Sequence, residues 1–507
     1  MKKIYSYLLA ASIVIASSCK KDLGNYEYHD INKVTVSNIS ETGTITAVFG
    51  KPLTIKPEVS YTMDTKGDPS RYSYEWTYFD RTDAGKIKVL ATTKDLEFEG
   101  FPLKVTQDPY QFYYRITDKE TGVRFDHPFK LNVRNEINEG WLLMTDVNGN
   151  AQLDLISLNL DNTTFTPIND LLAKTGSDLK LKGKPLMVYS YDTGTPFVAP
   201  GINLPYGIYV GTDHETNRIQ PDNFSYSSNY NIENEVFGYA SPENFHYDVL
   251  RKSGLNGRAY MIANGDLFLY DKTYGVRFST PLNYLNGKLF KIAPFIPINE
   301  NDGNGTCVVF DVENKRFVKH SISTNATVST FTDPVVASRK FSYSIGMDLI
   351  YMDYYLSAKE VVAILKNASN QYWLAAFLPA GTQNYYDQMT ATDFDKAEQI
   401  AISPDLGYIF YNVDGKVYEY DRATKNTKLM LDKGAEKISV LKFQTFHKTT
   451  KYKDYNKLIV CSYDPALPAD KNAKMEMFTV PTVHGDLVLD KTFTGFGKVV
   501  SLHYRER

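Results

Sequence analysis

The sequence predicts an all-β protein with two folded parts, an N-terminal immunoglobulin-like sandwich and a C-terminal β-propeller of about seven blades. Three observations lead to this prediction. Aromatic residues make up 14% of the 507 residues, led by 38 Tyr and 28 Phe, and both types favour strands. No long segment repeats apolar residues at helical spacing. Short apolar runs bounded by turn residues recur through the chain instead.

Residues 35–134 alternate between apolar and polar side chains, which predicts half-buried strands. Aromatic side chains occupy every second position of the runs YSYEW and YQFYYRITD. Such runs, separated by turn residues over about 100 residues, are typical of an immunoglobulin-like sandwich. Trp76 is the expected core tryptophan of this sandwich. The segment from Asp118 to Gly122 lies between two runs, so it predicts a hairpin loop in which Gly122 takes a positive φ.

Residues 136–507 repeat a different unit, in which an apolar run is often followed by a tight turn. The spacing of roughly 45 to 55 residues, with one larger gap, is typical of propeller blades. A stack of further sandwich domains is the alternative interpretation. The runs begin at Trp141, Pro185, Arg258, Gly305, Lys359, Leu406 and Lys457.

Two features of this region predict how the blades are built and closed. Asn264-Gly265 and Asp414-Gly415 each lie between two strand-like runs, and both pairs predict type I′ hairpin turns. The last apolar run, 497–503, lies at the C-terminal end of the sequence. We expect it to complete the blade that begins near Trp141 and so to close the ring.

The first 19 residues, MKKIYSYLLAASIVIASSC, indicate export and a lipid anchor. Two lysines precede an apolar stretch that is too short for a transmembrane helix, and small residues then precede Cys19. We therefore expect 1–18 to be a lipoprotein signal peptide and Cys19 to be lipidated. Residues 19–34 are polar and predict a flexible leash. A secretory signal followed by an accidental cysteine is the alternative.

Part of this sequence resembles a known family. Trp76, the alternating run from Tyr110 to Asp118, and Thr121-Gly122 resemble the polycystic-kidney-disease (PKD) repeat. The order of leash, PKD-like sandwich and long β region is similar to that of PKD-like lipoproteins of Bacteroidetes. The resemblance implies a surface-exposed outer-membrane lipoprotein that accompanies a SusC/SusD-type import system and captures oligopeptides or glycans.

Motifs for several other functions are absent from the sequence. It contains no HExxH, no GxSxG and no GxxxxGK[ST] pattern, and so it favours neither a zinc hydrolase, nor a serine hydrolase of that type, nor a P-loop enzyme. The net charge of −3 lacks the basic excess of a nucleic-acid binder. We expect no cofactor and no metal. Cys307 and Cys461 lie in apolar runs and are expected to be buried free thiols, although a disulfide between them is the alternative.

The larger gap between repeats, 192–257, is rich in Tyr, Asn, Ser and Glu, and it is the segment most suggestive of ligand binding. Tyrosine offers an aromatic face with a polar tip, and long loops on rigid scaffolds often carry function. We expect this segment to pass over one face of the ring. The alternative is that its tyrosines serve local packing. The candidate ligand-binding residues are Tyr226, Tyr230, Tyr239, Tyr385 and Tyr386.

These observations favour a non-enzymatic binding or assembly component, held at the outer membrane and facing outward. Its expected partners are a SusC/SusD-like transporter, other surface lipoproteins and an oligopeptide or oligosaccharide ligand. A propeller-type glycan hydrolase with an accessory sandwich is the main alternative, since a hydrolase needs only two suitably spaced carboxylates. A purely structural spacer is a third possibility.

Overall fold

A computed structural model describes residues 30–80, 83, 85–106, 108–193, 204, 206–254, 257–273, 275–302, 305–321 and 326–507. The predicted lipidation site, Cys19, and most of the predicted leash lie outside these residues. The chain divides into two compact units, Met1–Val133 and Arg134–Arg507. In the part of the chain that is described, no helix has the length and apolar character needed to cross a bilayer.

The first unit is a β-sandwich, built from nine strands among its described residues. A five-stranded antiparallel sheet has the order β2-β9-β8-β5-β6, and two two-stranded pairs, β1-β4 and β3-β7, complete the domain. The strands are β1 (Val34–Val36), β2 (Thr44–Val48), β3 (Leu53–Ile55), β4 (Val59–Tyr61), β5 (Tyr72–Asp80), β6 (Lys86–Ala91), β7 (Leu96–Phe98), β8 (Tyr110–Asp118) and β9 (Arg124–Arg134).

The sandwich core is centred on Trp76, as the alternation of β5 predicts. Trp76 is fully buried, packs on Tyr114 at 4.3 Å between ring centroids, and donates from Nε1 to the Thr93 carbonyl at 2.9 Å. The predicted hairpin between β8 and β9 is confirmed, with Gly122 at φ +68°. The folded domain begins before residue 34, because the buried Asn32 side chain donates to the Tyr72 hydroxyl at 2.7 Å.

The second unit is a propeller of seven antiparallel sheets within the described residues. Four sheets have four strands, in the orders β12-β11-β10-β36, β24-β25-β26-β27, β28-β29-β30-β31 and β32-β33-β34-β35. Three sheets have three strands, in the orders β13-β14-β15, β16-β17-β18 and β21-β22-β23, and β19-β20 is a separate small hairpin. We number the blades 1 to 7 in chain order, beginning with the sheet that contains β10.

The strands of the propeller are β10 (Gly140–Val147), β11 (Asn150–Leu158), β12 (Phe165–Ile168), β13 (Pro185–Asp192), β14 (Tyr206–Thr212), β15 (Thr216–Ile219), β16 (Val249–Lys252), β17 (Arg258–Ala263), β18 (Asp266–Asp271), β19 (Tyr284–Leu285), β20 (Lys288–Leu289), β21 (Cys307–Asp311), β22 (Arg316–His320), β23 (Ser329–Thr330), β24 (Asp348–Tyr355), β25 (Glu360–Lys366), β26 (Tyr372–Phe377), β27 (Gln383–Met389), β28 (Ile400–Ile402), β29 (Ile409–Val413), β30 (Lys416–Asp421), β31 (Asn426–Asp432), β32 (Lys437–Lys442), β33 (Lys457–Tyr463), β34 (Ala473–Thr479), β35 (Val488–Phe496) and β36 (Lys498–Arg505). The helical segments are α1 (Leu171–Lys174) and the 3₁₀ turns Ser228–Tyr230, Ile232–Asn234, Phe394–Lys396 and Asp454–Asn456.

The middle strands of the blades are apolar on both faces because each blade packs between two others. In β25, Val361 and Ala363 belong to the core shared with blade 4, while Val362 and Ile364 belong to the core shared with blade 6. Seven such cores separate the seven blades. A strand buried on both faces reads as a continuous hydrophobic run, which is why the repeats are visible in the sequence.

The ring closes as the sequence predicts. Strand β36, near the C-terminal end of the sequence, pairs antiparallel with β10, so that blade 1 is built from both ends of this unit. Asn264-Gly265 forms the predicted turn with positive φ at both residues. At Asp414-Gly415 the type I′ prediction is wrong, because only Asp414 has a positive φ. A Cβ at Gly415 would lie 2.6 Å from the Glu436 carbonyl oxygen, so close packing is what requires this glycine.

Candidate functional site: the central cavity of the propeller

A cavity of about 680 Å³ lies on the axis of the propeller. Each of the seven blades contributes at least one segment to its wall, and these segments include residues from the innermost strands. A volume of this size is typical of small-molecule sites. The lining residues come from segments 186–189, 248–251, 296–301, 351–357, 399–404, 440–446, 449–455 and 500–503.

Glu300 is a buried acid of this cavity that accepts two hydrogen bonds and lies beside the Arg251 guanidinium. The residue is only 5% exposed, and its Oε2 accepts from the Tyr189 hydroxyl at 2.6 Å and from His447 Nε2 at 2.9 Å. Arg251 Nε lies 3.5 Å from its Oε1. Burial opposes the charge of Glu300, but the hydrogen bond from His447 and the positive charges nearby outweigh burial and lower the pKa of Glu300. Glu300 is therefore held as a carboxylate.

Asp353 is a second carboxylate on the cavity wall, and its environment has the opposite effect. It accepts from the Tyr354 backbone N–H at 2.7 Å and from the Tyr351 hydroxyl at 3.0 Å. Burial raises the pKa of Asp353 in spite of these hydrogen bonds, and the negative charge of Glu300 adds to the rise. The cavity thus contains two acids whose environments push their pKa values apart.

Lys442 and His503 bring basic groups to the same cavity from blades 7 and 1. The Lys442 ammonium donates to the Leu502 carbonyl at 2.7 Å. Burial, followed by the charge of Arg251, lowers the pKa of Lys442 to about 7. Burial and the charges of Lys442, His447 and Arg251 hold the pKa of His503 well below its usual range, so its imidazole is neutral at pH 7.

The charged residues of this site are far apart in the chain, so no local sequence motif joins them. Glu300 lies in the segment before β21 of blade 4, and the other three charged residues lie on the inner strands of blades 3, 5 and 7. Each of these three interrupts an apolar inner strand, as in VLRK, YMDYY and SVLKF. A charged residue within the apolar run of an inner propeller strand is the signal that points to the axis. The missed residues are Arg251, Glu300, Asp353 and Lys442.

Three of the predicted ligand-binding tyrosines lie in the segment that joins blades 2 and 3, and none of them lines the central cavity. Tyr226 donates to Asn217 at 2.8 Å, and Tyr239 donates to Asp266 at 3.2 Å. Tyr226 packs against the core between blades 1 and 2, and Tyr230 and Tyr239 pack against the core between blades 2 and 3. We expected this segment to pass over one face of the ring. It instead packs against the cores between the blades and is hydrogen-bonded to them.

This segment also covers a buried ion pair. Glu235 Oε1 lies 3.6 Å from Arg218 Nη1, and both side chains are fully buried. The Tyr209 hydroxyl donates to the other carboxylate oxygen of Glu235 at 3.0 Å. Burial raises the pKa of Glu235 to about 7.

Tyr385 and Tyr386, the other two candidates, lie on β27, the outermost strand of blade 5. Tyr385 donates to the Arg422 carbonyl at 3.0 Å, and Tyr386 stacks on Trp373 with ring centroids 5.0 Å apart. Both are half-buried. Their role in ligand binding remains a prediction.

The two remaining cysteines, Cys307 and Cys461, are buried and unpaired, which confirms the free-thiol interpretation. Burial raises the pKa of both thiols. Among the residues that the structure describes, no cluster of three or more His, Cys, Asp or Glu side chains is arranged to hold a metal ion.

These features define an all-β protein with a sandwich domain and a seven-bladed propeller that has a charged axial cavity. Residues 19–185 match the PKD-like family. The match includes the sandwich and the beginning of the propeller, and it covers about a third of the chain. The curated proteins contain no match to this chain.

Several solved structures are similar in fold to this chain. A quinonprotein alcohol dehydrogenase-like protein from Bacteroides thetaiotaomicron is 11% identical, with 91% of this chain and 96% of that chain covered and a TM-score of 0.45. A protein of unknown function from the same organism is 11% identical, with 86% and 96% covered and a TM-score of 0.31. The Cps50 (Swd1) β-propeller domain of Myceliophteria thermophila is 9% identical, with 62% and 88% covered and a TM-score of 0.36. The propeller assignment rests on the strand order and ring closure described above.

Proposed function

We propose that this protein is a non-enzymatic binding component of a SusC/SusD-type nutrient import system, anchored to the outer membrane through Cys19 and facing outward. Its ligand, an oligopeptide or an oligosaccharide, binds in the central cavity of the propeller. The observation that carries the proposal is the cavity of about 680 Å³ with charged and aromatic side chains on its wall. The match of residues 19–185 to the PKD-like family supports the resemblance on which the cellular role depends.

The cavity has the properties of a preformed binding site. Glu300, Tyr189 and His447 hold one another through hydrogen bonds of 2.6 and 2.9 Å, so these side chains need little reordering when a ligand arrives. Tyr354 and Phe443 also line the wall and offer apolar surface. A few fixed polar groups within an apolar wall give a small-molecule site its orientation and specificity.

Blocking the mouth of the cavity tests this location. Ser357 is an exposed residue on the cavity rim, and Ser369 is an exposed turn residue of the same blade that lies away from the cavity. We expect Ser357→Trp to abolish binding of oligosaccharides and oligopeptides in array and calorimetric assays, while Ser369→Trp leaves it unchanged. Equal binding by both variants would move the ligand site elsewhere, and Tyr230→Ala and Tyr385→Ala then test the tyrosine candidates.

The partner proposal has its own test. The mature lipoprotein, purified from outer membranes under mild detergent, should carry a SusC/SusD-like pair at a fixed ratio, as judged by mass spectrometry and native gels. A protein that purifies alone, with its ligand binding intact, would separate the cavity from any role in an import complex.

A glycan hydrolase is the second candidate, and the two acids of the cavity are the observation that favours it. Glu300 is held as a carboxylate and the pKa of Asp353 is raised, which is the pattern of a base or nucleophile beside a general acid. Incubation with plant, fungal and host glycans followed by product analysis separates the candidates. Turnover that is lost in both Glu300→Gln and Asp353→Asn would establish the hydrolase and overturn the non-enzymatic proposal.

A further inference from the structure

Three basic side chains from three different blades face the central cavity. Arg251 lies on β16, the inner strand of blade 3. Lys442 is the last residue of β32 in blade 7, and His503 lies on β36 of blade 1. These residues are far apart in the chain, and the circular arrangement of the blades brings them to the wall of the same cavity.

Contacts through Tyr189 and Leu502 show that these three groups form one cluster. The Arg251 guanidinium lies 5.9 Å from the centre of the Tyr189 ring, and the His503 ring lies 4.4 Å from the same ring. Lys442 donates to the carbonyl of Leu502, the residue before His503, at 2.7 Å. The charges are close enough to influence one another, because Arg251 and Lys442 both lower the pKa of His503.

Each of the three groups has at least one N–H donor that lacks a hydrogen-bond acceptor among the described residues. Arg251 engages Glu300 through Nε and the Leu250 carbonyl through Nη1, which leaves Nη2. Lys442 makes its single hydrogen bond to Leu502, and no carboxylate among the described residues lies within 4.0 Å of it. His503 is only 2% exposed, and its Nδ1 accepts from the Ser190 backbone N–H at 3.3 Å. The proton of the neutral ring is therefore on Nε2, which has no acceptor among the residues described.

The acids of the cavity do not satisfy these donors. Glu300 is occupied by Tyr189 and His447 in addition to Arg251, and Asp353 is bonded to Tyr351 and to backbone. Asp248, the third acid on the wall, lies 3.4 Å from His246. These donors have no carboxylate acceptor among the described residues and line the cavity, so an incoming anion can accept hydrogen bonds from them without displacing a protein acceptor.

We infer that the central cavity binds the carboxylate group of an acidic ligand, with Arg251 Nη2 and Lys442 Nζ as the charged donors and His503 Nε2–H as a third donor. The inference rests on the proposed function and narrows its ligand to carboxylate-bearing oligomers. Charge-assisted hydrogen bonds from guanidinium and ammonium groups are the strongest available to such a ligand. The carboxylate comes from a uronic acid or from the C-terminal end of a peptide.

Two matched probe pairs test the charge and identify the source. The pairs are trigalacturonate with its methyl ester, and trialanine with its C-terminal amide. Isothermal titration calorimetry with the full mature chain should show binding of at least one acid, and binding about tenfold or more weaker for its uncharged counterpart. The substitutions Arg251→Met and Lys442→Met should each lower the affinity for the acidic probe by about tenfold. Lys416→Met, which removes an exposed lysine of blade 6, should leave the affinity unchanged.

Proton uptake provides a second readout that a damaged fold would not reproduce. An anion beside Lys442 stabilises its charged form, so binding at pH 8 should take up a fraction of a proton, measured as a dependence of the heat on the buffer. Lys442→Met should abolish this uptake while the variant retains the thermal transition of the parent protein. Uptake that persists in Lys442→Met would overturn the assignment of this residue.

The possible outcomes separate this inference from the proposal on which it rests. Equal affinity for an acid and its uncharged counterpart, with Ser357→Trp still blocking both, would leave the cavity as the binding site and reject the carboxylate. Binding that survives Ser357→Trp would reject the cavity itself. A failure of all four probes to bind would reject the carboxylate inference for both uronic acid and peptide sources.

Discussion

Asp118 shows how a single buried charge fixes the end of the sandwich sheet. Its side chain is 1% exposed and accepts from Arg71 Nη2 at 2.6 Å and from the Glu120 backbone N–H at 3.0 Å. The hydrogen bond from Arg71 lowers the pKa of Asp118 to about 2, against the effect of burial. Because the folded value lies below the unfolded one, the stabilisation is complete above about pH 4 and is lost as the pH falls towards 2.

We therefore expect Asp118→Asn to destabilise the sandwich by about 2 kcal/mol at pH 7. The difference from the parent protein should narrow between pH 4 and pH 2, as measured by hydrogen exchange of the amides in β5 and β8. Asp126→Asn is the matched control, because Asp126 is half-exposed and its ion pairs lie at the surface. A difference that stays constant from pH 4 to pH 2 would contradict the role of Asp118 ionisation.

The segment between β15 and β16 illustrates how an element can look like a loop and serve as part of the core. Its composition suggested an excursion over one face of the ring. The structure contradicts this view, because Ile232, Phe245 and Tyr247 of the segment belong to the core between blades 2 and 3. Blade 2 has three strands among the described residues, as blades 3 and 4 do, and an isolated antiparallel bridge between Asn217 of β15 and Asn231 joins the segment to its outermost strand.

Two phenylalanines of this segment form a matched pair for a stability test. Phe245 is 1% exposed, whereas Phe237 is 62% exposed. Phe245→Ala should destabilise the propeller by about 3 to 5 kcal/mol, because it leaves a cavity between two blades. Phe237→Ala should stay within about 0.5 kcal/mol of the parent protein. Thermal and urea unfolding measure both, and equal effects would show that the segment is not part of the core.

At the scale of the whole molecule, the sequence predicted the architecture because the physical causes of that architecture are local. A strand buried on both faces must be a continuous apolar run, as β17 and β33 are, and a two-residue turn with positive φ selects Asn-Gly. The closing strand β36 was predictable as well, because a propeller ring closes when its last strand joins the first blade.

The axial site could not be predicted in the same way. Its members are separated by about 50 to 90 positions in the chain, as between Arg251, Glu300, Asp353 and Lys442. Only the angle at which successive blades turn about the axis brings these side chains together, and no local pattern encodes that angle. The need for glycine at position 415 was likewise not predictable from nearby residues. The carbonyl that leaves no room for a side chain there belongs to Glu436, in the loop before the next blade.

The proposed cellular role requires a lipid anchor at Cys19, and this requirement yields the last prediction. A thioether-linked diacylglycerol and an added acyl chain at Cys19 should hold the mature protein in the membrane, because each buried methylene adds about 0.8 kcal/mol and more than one chain makes release negligible.

We expect the parent protein in the outer-membrane fraction, with protease-sensitive loops in intact cells. Cys19→Ala should appear in a soluble or unprocessed pool. Cys307→Ala is the matched control, because Cys307 is buried in blade 4 and its replacement leaves the anchor intact. Mass spectrometry of the N-terminal peptide decides the chemistry directly, and an unmodified thiol at residue 19 would reject the anchor together with the import role that requires it.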